Sequence, residues 1–227
     1  TKSFISGGDF SDFYLSMVRT GIIGPKGISA ILIKQGAKGL SFGKPEKKMG
    51  WKSQPTAEVI FEECKIQANH LLGEENKGFI YAMQGLDGGR LNIAAAALGG
   101  AQAALNKAKE YMKERGAFGK KLIEFQGLQF KIADMEIAIN SSRTFLREAA
   151  WKLDQGKADA SISCAMAKKF VTDNAFAIAN DSLQLLGGYG YLTDYGIEKI
   201  VRDLRVHQIL EGTNEIMQVM IARHFLR

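Results

Sequence analysis

Residues 128–153 read LQFKIADMEIAINSSRTFLREAAWKL. Leu128, Ile132, Met135, Ile139, Ser142, Leu146, Ala149 and Leu153 recur at steps of four and three, the spacing that puts apolar and small side chains on one face of an α-helix. Such a stripe has to be covered, and the flanking sequence supplies the cover. Upstream, residues 78–114 read as a second long helix whose Ala94, Ala95, Ala96, Ala97, Gly99, Gly100, Ala101, Ala103 and Ala104 are small on several sides, so neighbouring backbones can come close. Downstream, residues 158–186 read as a third helix stopping at Gly187-Gly188, because glycine tolerates the left-handed conformation that closes a helix. Two shorter helices are expected near residues 195–205 and from Thr213 onward. Long helices with short connections pack antiparallel into a bundle.

Ahead of the helices the pattern changes. Phe4-Ile5, residues 13–18, residues 28–33, residues 40–42 and Val59-Ile60-Phe61 are short apolar runs separated by Gly- and Pro-bearing turns, which reads as β-structure. Thr56-Ala57-Glu58-Val59-Ile60-Phe61-Glu62 alternates as expected of a sheet covered on one face. The expected fold class is therefore α+β: an antiparallel β part over residues 1–68, then an antiparallel helical bundle over residues 69–227. No period of 20–50 residues repeats, which argues against a solenoid.

Composition narrows the function classes. With 227 residues, 46% hydrophobic and 24% charged, the chain is long enough for an ordinary core and does not match the composition of disordered proteins. The net charge of +6 is spread along the chain. The nearest candidate basic stripe, residues 113–121, holds one aromatic and two glycines, which is a poor nucleic-acid surface. A moderately basic protein is equally suited to a polyanionic small molecule. Cys64 and Cys164 have no CxxC spacing, and His70, His207 and His224 lack both the i, i+4 spacing and the carboxylate partners of a zinc helix. Neither a metal site nor a membrane span, which needs roughly 20 apolar residues, is expected. The chain opens on Thr1 without an initiating Met and reads as part of something longer.

Four segments stand out chemically, and each has an ordinary reading as well. Gly187-Gly188-Tyr189-Gly190 invites a dinucleotide fingerprint, but a helix precedes it where that motif needs a strand. A helix stop is the plain alternative, and an anion-binding nest of amides is the functional one. Arg115-Gly116-Ala117-Phe118-Gly119 places an aromatic between glycines in a basic turn; its plain reading is a hinge whose Phe118 plugs the core. Arg90, after Leu86-Asp87-Gly88-Gly89, reads most simply as half of a surface ion pair. In Leu210-Glu211-Gly212-Thr213-Asn214-Glu215, Thr213 is placed to cap the last helix and Glu215 to complement its positive end. Taken alone, Glu211 reads as a solvated carboxylate.

Together and in this order, these segments resemble the acyl-CoA dehydrogenase family, flavoproteins that introduce a double bond between Cα and Cβ of an acyl-CoA thioester. The resemblance covers essentially the whole chain, adding Phe4-Ile5-Ser6-Gly7, Gly50-Trp51, Gln126 and Gln184 to the segments above. It implies FAD as cofactor and Glu211 as the base that removes the α-proton while hydride leaves to flavin N5. It implies acyl-CoA contacts at Asp87, Arg90 and Gly212. It implies FAD contacts at Phe4, Ser6, Arg115, Phe118, Gln126, Gln184, Gly187, Gly188 and Thr213, several of them across a subunit boundary. A homotetramer built as a dimer of dimers and electron-transferring flavoprotein as acceptor are implied as well, in the mitochondrial matrix or a bacterial cytoplasm. Position 215 is Glu where several relatives carry Gln. Relative to the family, the N-terminal helical domain and the first half of the β domain are missing. Gly50-Trp51-Lys52-Ser53-Gln54-Pro55-Thr56 with residues 202–216 is most similar to the branch acting on a short branched-chain acyl-CoA of valine breakdown. A short-chain or 2-methyl-branched dehydrogenase, an acyl-CoA oxidase and a non-catalytic oligomerising fragment remain as alternatives.

Overall fold

The computed structural model describes residues 1–226. The chain forms two compact units, Thr1–Leu86 and Asp87–Arg227.

The first unit is built on six antiparallel strands: β1 (Lys2–Ser6), β2 (Phe13–Arg19), β3 (Ile28–Lys34), β4 (Leu40–Phe42), β5 (Thr56–Phe61) and the two-residue β6 (Leu71–Leu72). They make two sheets, ordered β1-β5-β4 and β2-β3-β6. Tyr14, Ile33 and Val59 form the buried centre, with Ile5, Ile31, Phe42 and Phe61 packed around it. The Tyr14 and Phe42 rings lie 5.3 Å apart. Along β2 the alternation is inverted relative to hydrophobicity. Tyr14 and Ser16 point inward, while Phe13 and Leu15 are half exposed. Between Lys2 and Ile5, β1 carries one residue more than β5, and Phe4 absorbs it at φ +57°. This is a β-bulge, which bends the strand and re-aims a side chain.

The second unit holds α1 (Gly78–Glu114) from Asp87 onward, together with α2 (Gln126–Asp154), α3 (Ala160–Leu186), α4 (Ile197–Arg205) and α5 (Asn214–Phe225). The stripe on α2 behaves as its spacing requires: Met135, Ile139, Ser142, Leu146 and Ala149 are buried. They join Ala94, Ala97, Ala101, Ala104, Leu105 and Ala108 of α1 and Cys164, Ala167, Val171 and Ala175 of α3 in one core. Stacked alanines let helix axes approach within the close range of ridge-and-groove packing. α3 stops where the glycines predict, Gly187 taking φ +59°. Thr213 caps α5, its hydroxyl accepting from the Ile216 amide at 3.4 Å.

The expectation of unbroken helix beyond residue 69 needs two corrections. β6 extends the second sheet, and residues 116–121 form a small hairpin, β7 (Gly116–Ala117) against β8 (Lys120–Lys121). Its two turn residues, Phe118 and Gly119, lie at φ +50° and +78°, the pair of left-handed residues that a tight type I′ hairpin demands.

Candidate active site

Glu211 lies in the connection between α4 and α5, after a short 3-10 turn at Val206–Gln208. Glu211 and Gly212 are consecutive left-handed residues, at φ +56° and +86°. For a non-glycine residue that conformation costs about 1–2 kcal/mol, and such strain survives only where surrounding structure dictates it. The result is a sharp corner that turns the Glu211 carboxylate onto α1. A Cβ built on Gly89 would collide with it, so Gly89 is the opening in the helix surface into which the carboxylate fits. Glu211 is only partly exposed.

One residue further along α1, Arg90 is 4% exposed. Its Nη1 donates to Asp87 Oδ1 at 2.7 Å, and Ser161 Oγ of α3 donates to the same oxygen at 3.0 Å. The ion pair expected for Arg90 therefore exists, but its place on the surface is corrected: the pair is buried between helices. Arg90 Nε is buried without a hydrogen-bond partner among the described residues. Asp87, Arg90, Glu211 and Gly212 thus belong to one neighbourhood.

Beneath it lies a residue that the sequence reading passed over. Lys168 of α3 has no exposed surface, and its Nζ donates at 2.8 Å to the Gly212 carbonyl and at 2.8 Å to Asn214 Oδ1. Burial pulls its ammonium down to about 8, partly countered by Asp173, Glu211 and Glu215 and reinforced by Arg90. His207, 3% exposed, is likewise held down to about 4, by burial first, with Lys168 adding to the effect. Spacing carried a signal for Lys168: Cys164, Lys168, Val171 and Ala175 share the buried face of α3, so a lysine there has to find acceptors inside.

A second cluster forms at the far end of the bundle. Arg115, Gln184, Gly187 and Gly188 line one cavity of about 560 Å³ with Tyr111 and Tyr189. The Arg115 guanidinium sits 5.8 Å from the centre of the Tyr189 ring. Nothing stands within 4 Å of a Cβ placed on Gly187 or Gly188, so both glycines border open space, while the Gly187 amide itself donates to the Gln184 carbonyl. A guanidinium, a side-chain amide and open glycine backbone beside one cavity are groups whose chemistry suits a phosphate-bearing ligand.

The remaining expected residues fall elsewhere. Phe118 lines a separate depression with Gly116, Lys120 and Glu124 and is 95% exposed, which overturns the reading of it as a core plug. A left-handed turn throws its ring outward. Gln126 begins α2 and is exposed. In the first unit, Ser6 borders a cavity with Ser11, Tyr14 and Ser16, while Phe4 stands outward on the bulge, 76% exposed. No helix is long and apolar enough to cross a membrane among the described residues.

Comparisons with known proteins bear on the family. Residues 1–64 match the acyl-CoA dehydrogenase middle domain and residues 76–226 match the acyl-CoA dehydrogenase C-terminal domain. The mitochondrial isobutyryl-CoA dehydrogenase of Bos taurus is 51% identical over 227 residues, which are 100% of this chain and 55% of that protein. Butyryl-CoA dehydrogenase from Megasphaera elsdenii superposes with a TM-score of 0.96 at 41% identity, over 100% of this chain and 59% of the other. A structure described as the electron transferring flavoprotein of Acidaminococcus fermentans gives a TM-score of 0.96 at 44% identity, covering 100% and 60%. The chain spans a little over half the length of these relatives. Two adjoining domain matches and half-identical sequence over the full chain place it in the acyl-CoA dehydrogenase family.

Proposed function

We propose that the protein containing this chain is an FAD-dependent dehydrogenase of a short branched-chain acyl-CoA, isobutyryl-CoA, with Glu211 as the base. The observation that carries this reading is the left-handed Glu211–Gly212 corner, which commits strain to aiming one carboxylate at a glycine gap in α1. The 51% identity to isobutyryl-CoA dehydrogenase supports the substrate. The likeness to butyryl-CoA dehydrogenase makes the straight-chain thioester the comparison to test.

In this reading Glu211 accepts the α-proton, and its own amide faces the thioester carbonyl, stabilising the charge that develops there. Arg90, fixed by Asp87, offers its buried Nε towards the ligand beside the base. Arg115, Phe118 and Gln126 hold the diphosphate and adenine of FAD across a subunit boundary, Gln184, Gly187, Gly188 and Thr213 hold another part of it, and Phe4 and Ser6 contribute further contacts. Bound FAD supplies the hydride acceptor. Residues 1–68 are the rear of the middle β domain and residues 69–227 the C-terminal bundle. The assembly is a homotetramer that delivers electrons to electron-transferring flavoprotein, in the mitochondrial matrix or, for a bacterial source, the cytoplasm.

The test uses the full-length flavoprotein, mixed anaerobically with isobutyryl-CoA or butyryl-CoA while the flavin absorbance is followed. Faster bleaching by isobutyryl-CoA, slowed by at least about 100-fold in Glu211→Gln, is the expected result. Preference for butyryl-CoA moves the substrate, and wild-type bleaching by Glu211→Gln refutes the base.

A further inference from the structure

Buried lysines are expensive, and Lys168 is the largest fully buried side chain among the described residues. Removing an ammonium from water costs several kcal/mol unless acceptors replace the lost solvation, so its partners show what the cost secures. Both lie in the corner that carries Glu211: the Gly212 carbonyl and Asn214 Oδ1, each at 2.8 Å. The same turn of α3 grips the corner at two more points. Asn214 Nδ2 donates to Thr172 Oγ1 at 3.0 Å and to Asp173 Oδ1 at 2.7 Å, and Gln208 Nε2 donates to Asp173 Oδ1 at 2.7 Å. The segment is therefore tied at residues 208, 212 and 214, with the strained Glu211 between the ties.

Of these ties, the one from Lys168 reaches backbone next to the base. The Gly212 carbonyl belongs to the peptide that follows the second left-handed residue. A charge-assisted bond to it, stronger than a neutral one, opposes the relaxation of that peptide toward ordinary dihedral angles. Relaxation would swing the carboxylate away from Gly89 and turn the Glu211 amide with it. We propose that Lys168 is the positioning residue of Glu211, its buried ammonium locking the Glu211–Gly212 corner through Gly212 and Asn214. The inference rests on the reading of Glu211 as the base.

Lys168 makes the lock sensitive to alkali. The charged and titratable groups facing it are Asp173 on its own helix, Arg90 on α1, Glu211 in the corner, Glu215 on α5 and His207 in the turn before the corner. Among them Lys168 is the one placed to lose its proton just above neutrality, since burial holds it at about 8. Loss of that proton leaves two N–H donors but removes their charge assistance.

The experiment compares wild type, Lys168→Met and Glu211→Gln as full-length flavoproteins, following anaerobic flavin reduction by isobutyryl-CoA between about pH 6 and about pH 10. Methionine keeps the length and apolar stem of lysine but donates nothing. Lys168→Met is expected to reduce its flavin about 10- to 100-fold more slowly, the effect of a misplaced catalytic group. Its flavin content and thioester dissociation constant should stay within about threefold of wild type, and its rate should lack the wild-type decline above about pH 8. Wild-type rate and pH profile in Lys168→Met, with Glu211→Gln inactive, overturn the positioning role and leave the base intact. Full activity in Glu211→Gln overturns the base itself. If Lys168→Met does not fold, Lys168→Gln, which can still donate a neutral hydrogen bond, takes its place: a wild-type rate with the wild-type pH profile refutes the lock, and a slower rate without the wild-type decline upholds it.

Discussion

His207 gives this chain a measurable sensitivity to acid. It is 3% exposed, and burial lowers its imidazole from 6.5 to about 4, against the attraction of Asp203 and with help from Lys168. The unfolded chain keeps the ordinary value. Between these two values the unfolded state binds a proton that the folded state refuses, so acid favours unfolding. The contribution is complete above about pH 6.5 and is lost as pH falls toward about 4. At about 1.4 kcal/mol per pH unit, the whole window amounts to about 3 kcal/mol, a large share of the stability of an ordinary domain. Urea unfolding followed by the fluorescence of Trp51 and Trp151 measures it at steps between about pH 7 and about pH 4. Other groups titrate in acid too. Asp173, for example, is held below the ordinary carboxylate range by hydrogen bonds from Lys169, Gln208 and Asn214, against the opposing effect of its own burial. His207→Gln removes only the imidazole, so the difference between the two pH profiles isolates it. The variant should lose about 2–3 kcal/mol less than wild type across the window. Parallel profiles would refute a neutral buried His207.

Two further outcomes follow from burial. Cys164 is fully buried and its thiol is pushed up to about 11 by burial first, with Asp87 adding to the rise; a thiol reagent added to the folded protein at neutral pH should therefore modify Cys64 and spare Cys164 until urea is added, and mass mapping of the adduct checks this. Asp87→Asn leaves the Arg90 guanidinium, 4% exposed, without its carboxylate. An unpaired buried charge costs about 3–5 kcal/mol, so the urea midpoint should drop sharply, and a change within about 0.5 kcal/mol would show that the pair is solvated.

The sequence by itself determined the architecture. The four-and-three stripe on α2, the small residues of α1 and the glycine stop of α3 are local patterns whose physics does not depend on distant partners, and their helices formed where those patterns said. The ordered motifs, from Phe4 to Thr213, were enough to identify the family. Tertiary structure decided what the charged residues do. By residue type alone Arg90 and Lys168 look like surface cations, because most lysines and arginines are. Only the packing of α1 against α3 buries the first with Asp87 and Ser161, and only the return of the chain after α4 brings Gly212 and Asn214 to the second. Phe118 shows the opposite error: an aromatic expected inside is turned outward by a two-residue hairpin that takes both its turn residues to positive φ. Spacing along a chain records which face a residue shares. It does not record which acceptor, more than forty residues away, will meet it there.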